Sequence, residues 1–251
     1  MTSNLMYDLI GDIHGHADEL QALLTYLDYR PDAAGIPRHP ASRQVIFLGD
    51  YIDRGPKIRE TLQLVRGMVD GGAALAILGN HEYNALAFWQ QDPAGGYLRP
   101  HKPNNILQHT ETLKAFRSAE LFREWHAYLE WFLTLPLALE LPGLRAVHAC
   151  WQPEQLTFLR QQLPGLRLTR SFLARAAYPG TPEFEAAEVV LKGREVRLPD
   201  GLTFADKDGH VRRQMPCAAR CACAGGKIPP PPPTTPITSK TWPSCAASPW
   251  S

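Results

Sequence analysis

Residues 44–55 read QVIFLGDYIDRG: an apolar run, then two carboxylates, a guanidinium and two glycines packed into seven positions. The run QVIFL has the length of a buried strand and lacks polar alternation, as expected where both faces are covered. Taken alone, the cluster after it could be a solvated turn, because Asp and Gly favour turns. The same punctuation recurs along the chain. MYDLI (6–10) precedes GDIHG (11–15), ALAIL (74–78) precedes GNHE (79–82), and LRAV (144–147) precedes HAC (148–150).

Helical patterns separate these runs. Leu20, Leu23, Leu24 and Leu27 follow the i, i+3, i+4, i+7 spacing of one apolar helix face. Pro56 suits the first turn of a second helix, in which Ile58, Leu62, Val65 and Val69 repeat the spacing before Asp70-Gly71-Gly72 ends it. Strand, loop and helix in this order predict an α/β fold. A longer helical insert spans about 92–134, with its clearest pattern at 106–134, and carries Leu107, Leu113, Phe116, Leu121, Trp125, Leu129 and Phe132. These side chains read as core, not as a ligand box.

Strands of an α/β sheet deliver their following loops to one crevice. Asp12, His14, Asp50, Asn80, His81 and His148 are therefore expected at a common edge, with glycines at 11, 15, 49, 55 and 79 allowing sharp turns. Asp12 and His14 flank a single residue, so in extended backbone both would face the same side. Carboxylate, imidazole and amide oxygen suit Mn, Fe or Zn, and the lack of thiolates argues against a structural cysteine zinc site. Asp50 has two oxygens and can bridge two cations. Arg54 offers a planar fork for two phosphoryl oxygens, and Asp53 is left to orient a histidine. Ordinary capping and turn chemistry is the competing explanation for each of these residues.

Composition sets the wider bounds. The chain has 251 residues, 44% hydrophobic and 20% charged, with a formal net charge of +1. That is ordinary for a globular protein and gives no bulk electrostatic reason to expect nucleic acid or a membrane as partner. No apolar run approaches a membrane span, and the N-terminus enters a strand pattern at once, so a cytoplasmic location is the default expectation. Cys150 is the only cysteine before residue 217, which fits a reducing compartment.

The motifs GDIHG, GDYIDRG, GNHE and HA, in that order from residue 7 to about 150, resemble the calcineurin-like metallophosphoesterase superfamily. Within it they are most similar to the phosphoprotein phosphatase-like branch. That branch includes bacterial serine/threonine phosphatases, diadenosine tetraphosphatases and the phosphatase module of polynucleotide kinase-phosphatases. The resemblance implies a four-layer α/β/β/α sandwich and a site for two divalent metal ions. It assigns Asp12 and His14 to the first metal, Asp50 to the bridge, and Asn80 and His148 to the second. His81 would be the general acid with Asp53 behind it, and Arg54, helped by Asn80 and His81, would bind phosphate. The implied substrates are phosphomonoesters, as on a phosphoprotein, or nucleotide phosphoanhydrides. The insert and residues 151–200 would shape the pocket, and manganese would be the metal of choice in vitro.

Several residues sit outside this scheme. Glu82 is expected to cap or support, and His16 to face solvent. His39, His101, His109 and His126 are expected to be structural. After Asp208 no acidic residue remains, and residues 209–251 hold PPPPP (229–233) and the cluster CAARCACAGG (217–226). This composition predicts a low-complexity, disordered tail beyond a 1–208 domain. One explanation is a shift of reading frame that replaced the native C-terminus and left the sandwich incomplete. Cys217, Cys221, Cys223 and Cys245 lack the paired spacing of a zinc site. The resemblance also calls for a late histidine ligand. His210 is the candidate, but Asp208-Gly209 reads as a hairpin turn, which would start a strand at His210 instead of ending one. The alternative to an active enzyme is therefore an impaired homologue that keeps the fold as a binding module.

Overall fold

A computed structural model describes residues 6–197, 202–205, 211–212 and 214–216. His210, the later cysteines and the proline run lie outside the described residues. The elements run β1 (Tyr7–Ile10), α1 (Ala17–Tyr26), β2 (Arg30–Pro31), β3 (Pro37–Arg38), β4 (Gln44–Phe47), α2 (Ile58–Asp70), β5 (Ala74–Ala76) and α3 (Asn80–Trp89). The insert follows as α4 (Pro103–Gln108), α5 (Thr110–Ala115) and α6 (Ala119–Thr134). Beyond it come β6 (Ala138–Leu141), β7 (Leu144–Val147), α7 (Pro153–Gln162), α8 (Arg170–Ala176), α9 (Pro182–Lys192) and the short strands β8 (Glu195–Arg197), β9 (Phe204–Ala205), β10 (Val211–Arg212) and β11 (Gln214–Pro216).

The α/β architecture expected from the sequence is present. Among the described residues, β1, β4 and β5 form a parallel sheet in the order β1-β4-β5, with Tyr7 opposite Gln44 and Val45 opposite Ala74. Val45, Ile46 and Phe47 in the central strand are wholly buried, as a strand covered on both faces must be. Ile58, Leu62, Val65 and Met68 form the buried stripe of α2, close to the expected face. The helix begins at Ile58, two residues after Pro56.

The chain past β5 stays extended. The Ile77 amide donates to the Phe47 carbonyl at 2.9 Å and the Leu78 amide to the Pro136 carbonyl at 2.9 Å. This joins the parallel sheet to the strand approach of β6. Here the observed topology differs from the simplest expectation. β7 pairs antiparallel with β6, Ala138 opposite Val147, and is not a member of the parallel sheet. It nevertheless ends where His148 reaches back to β4.

The insert is three helices, not one. The chain turns at His109, between α4 and α5, and again before Ser118, whose Oγ accepts from the Leu121 amide at 3.3 Å to start α6. Trp125, Leu129 and Phe132 are buried as expected, whereas Leu107 on the short α4 is exposed. A one-and-a-half-turn helix cannot bury a full stripe.

Candidate active site

Two pairs of glycines let the site loops touch backbone to backbone. A Cβ on Gly79 would lie 2.3 Å from the Asp50 amide nitrogen, and one on Gly49 would lie 2.4 Å from the Gly79 Cα. No larger residue fits there without moving the loops apart. The loops are also held in an unusual conformation. Asp12, His14, Asp50, Asp53 and Arg54 all have φ between 48° and 68°, the left-handed region that side chains with a Cβ disfavour. Strained backbone of this kind concentrates where function fixes side-chain direction. It also corrects the extended reading of Asp12 and His14: each sits in left-handed backbone, not in a pleated strand, with His14 buried and Asp12 exposed.

Asp50 sits at the centre. Its Oδ2 lies 3.5 Å from His14 Nε2 and 3.9 Å from His81 Nε2. Its Oδ1 lies 3.5 Å from His148 Nε2 and accepts the His81 backbone amide at 3.0 Å. Ligand atoms of His14, Asp50 and His81 form one group within 4.8 Å of one another, and those of Asp12, Asp50 and His148 form a second. Asp50 belongs to both. By proximity Asp12 falls beside His148 and His14 beside His81.

The histidine tautomers favour cation binding. His14 Nδ1 donates to the Ile52 carbonyl at 2.9 Å and His148 Nδ1 to the Leu48 carbonyl at 2.6 Å. Both rings therefore present an Nε2 lone pair towards Asp50. Asn80 Oδ1 lies 2.9 Å from His148 Nε2, a meeting of two acceptors that a shared cation would relieve. Burial lowers the pKa of His14, with the Ile52 carbonyl opposing and the His81 and Arg54 charges adding to the fall. Its neutral, ligating form is thus favoured. The donor set fits divalent metal ions.

Behind these residues lies a hydrogen-bonded support. His81 Nδ1 donates to Asp53 Oδ2 at 2.6 Å. Burial alone would suppress the charge of His81, but the Asp53 hydrogen bond and the charges of Asp50, Asp53 and Glu82 raise its pKa above the ordinary value. Asp53 is buried too, yet donors from His109, His81 and Thr112 hold its carboxyl well below the usual range. Glu82 is fully buried and accepts from the amides of Asp50 (2.8 Å), Tyr51 (2.8 Å) and Gly79 (3.1 Å). It staples the second loop to the start of α3, the supporting role expected of it. Burial and then the Asp50 charge push its carboxyl up to about 7, against these amides.

Arg54 is exposed beside the cluster, and no ion pair engages it among the described residues. Arg99 was not anticipated. Its guanidinium donates to Asn84 Oδ1 at 2.8 Å and Gln108 Oε1 at 2.7 Å, and Asn84 follows Asn80 by one turn of α3. Thr112 and His109 also reach the site through Asp53, although the sequence marks His109 only as structural. Both lie in the insert, where no motif marks them. His16, by contrast, is exposed as expected and sits 3.5 Å from Glu19. His39, His101 and His126 stack on or edge against aromatic rings.

Comparison with known proteins gives the family of this chain. The chain belongs to the calcineurin-like phosphoesterase family, whose profile matches residues 7–165. It is 43% identical over 77 residues to the asymmetrical bis(5′-nucleosyl)-tetraphosphatase PrpE of Bacillus subtilis, covering 31% of each chain. Against PrpE of Oceanobacillus iheyensis the identity is 30% over 142 residues, 57% of this chain and 54% of that one. A symmetrical bis(5′-nucleosyl)-tetraphosphatase from Ralstonia nicotianae is 32% identical over 59% of this chain and 43% of its own. The chain thus spans between about a third and a half of the length of these relatives. A metallophosphoesterase structure from Sphaerobacter thermophilus aligns at 22% identity over 55% of this chain and 44% of that one, with a TM-score of 0.33. Among the described residues no helix is long and apolar enough to cross a membrane.

Proposed function

We propose that this chain hydrolyses a phosphate monoester or a nucleotide phosphoanhydride with the help of two divalent cations, manganese serving in vitro. One observation carries the reading: the two oxygens of Asp50 face two different sets of nitrogen and oxygen ligands. Asp12, His14, Asp50, Asn80 and His148 would hold the cations, which when bound supply Lewis acidity and a nucleophile at neutral pH. Arg54 binds two phosphoryl oxygens with its unpaired guanidinium, and Asn80 and His81 border the same anion. His81 gives a proton from Nε2 to the leaving oxygen, while Asp53 fixes the proton on Nδ1 and steadies the imidazolium. The raised pKa of His81 supports this role, because the acid must be protonated at the working pH.

The tetraphosphatase relatives make a dinucleoside tetraphosphate the first substrate to test, ahead of a phosphopeptide and a 2′,3′-cyclic nucleotide. The domain would occupy residues 1–208 with 209–251 appended, and limited proteolysis should trim the chain to about the former. A cytoplasmic setting suits such nucleotides. Purified protein loaded with manganese should hydrolyse p-nitrophenyl phosphate, and chelation should abolish turnover. Binding of metal and phosphate without turnover under any cation would instead support the binding-module reading.

A further inference from the structure

We propose that His109 and Thr112, supplied by the helical insert, are positioning residues for the proton donor His81, acting through Asp53. The inference rests on the reading of His81 as the general acid. It goes further by making the insert part of the acid machinery, not only a wall of the substrate pocket.

The proton inventory of the cluster is fixed by groups that can act in one way only. The Trp89 indole can only donate, and its Nε1 lies 3.3 Å from His109 Nε2. That nitrogen must accept, so the His109 ring proton is on Nδ1, which lies 2.8 Å from Asp53 Oδ1. Thr112 Oγ1 donates to the same oxygen at 2.6 Å and accepts the Asp53 backbone amide at 3.1 Å. His81 Nδ1 takes the other oxygen at 2.6 Å. Three donors therefore surround one buried carboxylate. They set the plane of the carboxylate and leave it a single direction in which to hold His81.

The arrangement closes on itself. His81 lies in the first turn of α3 and Trp89 is its last residue. The path from the start of α3 runs through Asp53 and His109 back to the end of the same helix. The His109 ring is wedged between Phe88 and Trp125, with ring centres 5.1 and 5.7 Å away, and is buried. A histidine that merely filled this space would not need its Nδ1 on a carboxylate that already serves another histidine. Thr112 also grips the amide of Asp53, whose φ of 68° is itself unfavourable. Without that grip the residue would have a reason to relax, and the imidazole of His81 would turn with it.

Three variants test the proposal: Thr112→Val, His109→Leu and His109→Asn. Thr112→Val is nearly isosteric, His109→Leu removes the donor, and His109→Asn keeps an N–H close to the place of Nδ1. Each is assayed as manganese enzyme on phenyl phosphate, a poor leaving group, and on p-nitrophenyl phosphate, a good one. Loss of an acid's orientation harms the first far more than the second. We expect Thr112→Val and His109→Leu to lower kcat on phenyl phosphate about tenfold, with KM unchanged, and on p-nitrophenyl phosphate less than about twofold. His109→Asn should restore most of the loss. The downfield imidazole proton resonance of His81 on Asp53 should broaden or move in Thr112→Val and stay in His109→Asn. Equal losses on both substrates, or none, in a folded Thr112→Val protein would overturn the proposal. In that event His81→Ala, if it keeps its own leaving-group dependence, leaves the general-acid reading standing. If His81→Ala shows no such dependence, that reading fails and this inference fails with it.

Discussion

At the scale of single residues, the site is defined by how little freedom each group retains. His14 and His148 have one nitrogen committed to a main-chain carbonyl, so only the other is available for a cation. Asp50→Asn keeps the volume of the side chain but removes the charge both ligand groups share. It should lower manganese-dependent turnover by roughly 100-fold or more, and titration calorimetry should show weakened uptake of metal. The glycine contact is just as restrictive. Gly79→Ala puts a methyl group where the Asp50 amide and Oδ1 already lie. It should destabilise the fold by about 1–3 kcal/mol and weaken metal binding more than that loss alone explains, as denaturant titration with and without manganese would show.

At the scale of elements, α3 does the most positioning. It begins at the site without a side-chain cap from its own N-cap residue, Gly79. Glu82 instead turns back and takes the amide of that N-cap residue and two amides of the loop after β4. Glu82→Ala would strand these buried donors, at about 1–3 kcal/mol for a group that water cannot reach. The urea midpoint should fall with an unchanged slope. Glu82→Gln should fall between, since one oxygen still accepts.

Much of this was legible in the sequence, for a definite reason. Short strands followed by glycine-rich polar loops leave a local signature, so β1, β4, β5, α1, α2 and the residues from Asp12 to His148 could be read directly. The insert left a weaker one. Its apolar spacing predicted a helix but could not show that His109, where the chain breaks, bonds to Asp53, 56 residues away in sequence. Thr112 and Arg99 were hidden likewise, their partners being set by tertiary contact. The left-handed backbone at Asp12 and His14 was invisible for the opposite reason: non-glycine residues rarely adopt it, so no composition rule announces it.

At the scale of the whole molecule, buried charge couples stability to pH. Asp53 has a depressed pKa in the folded protein. Its stabilisation is therefore complete above the unfolded value of about 3.9 and disappears as pH falls below it. In metal-free buffer the stability advantage of the native protein over Asp53→Asn should rise as pH falls through the range in which His81 takes up its proton, because Asp53 raises the pKa of His81. It should then shrink below about pH 4 as Asp53 itself is protonated. Thermal melts across that range would measure it, and an advantage that kept growing below about pH 4 would contradict the assignment.

The five left-handed residues of the site have a further consequence. Each carries a conformational penalty of about 1–2 kcal/mol, and the sum is comparable with the roughly 5–15 kcal/mol by which a domain of this kind stays folded. Arg54→Gly should relieve one such penalty and raise Tm by about 2–4 °C, while phosphate affinity falls. Heat selection acting on foldedness alone would push these positions towards glycine and asparagine. A lineage evolved under that pressure would outlast its parent at high temperature and forfeit its chemistry.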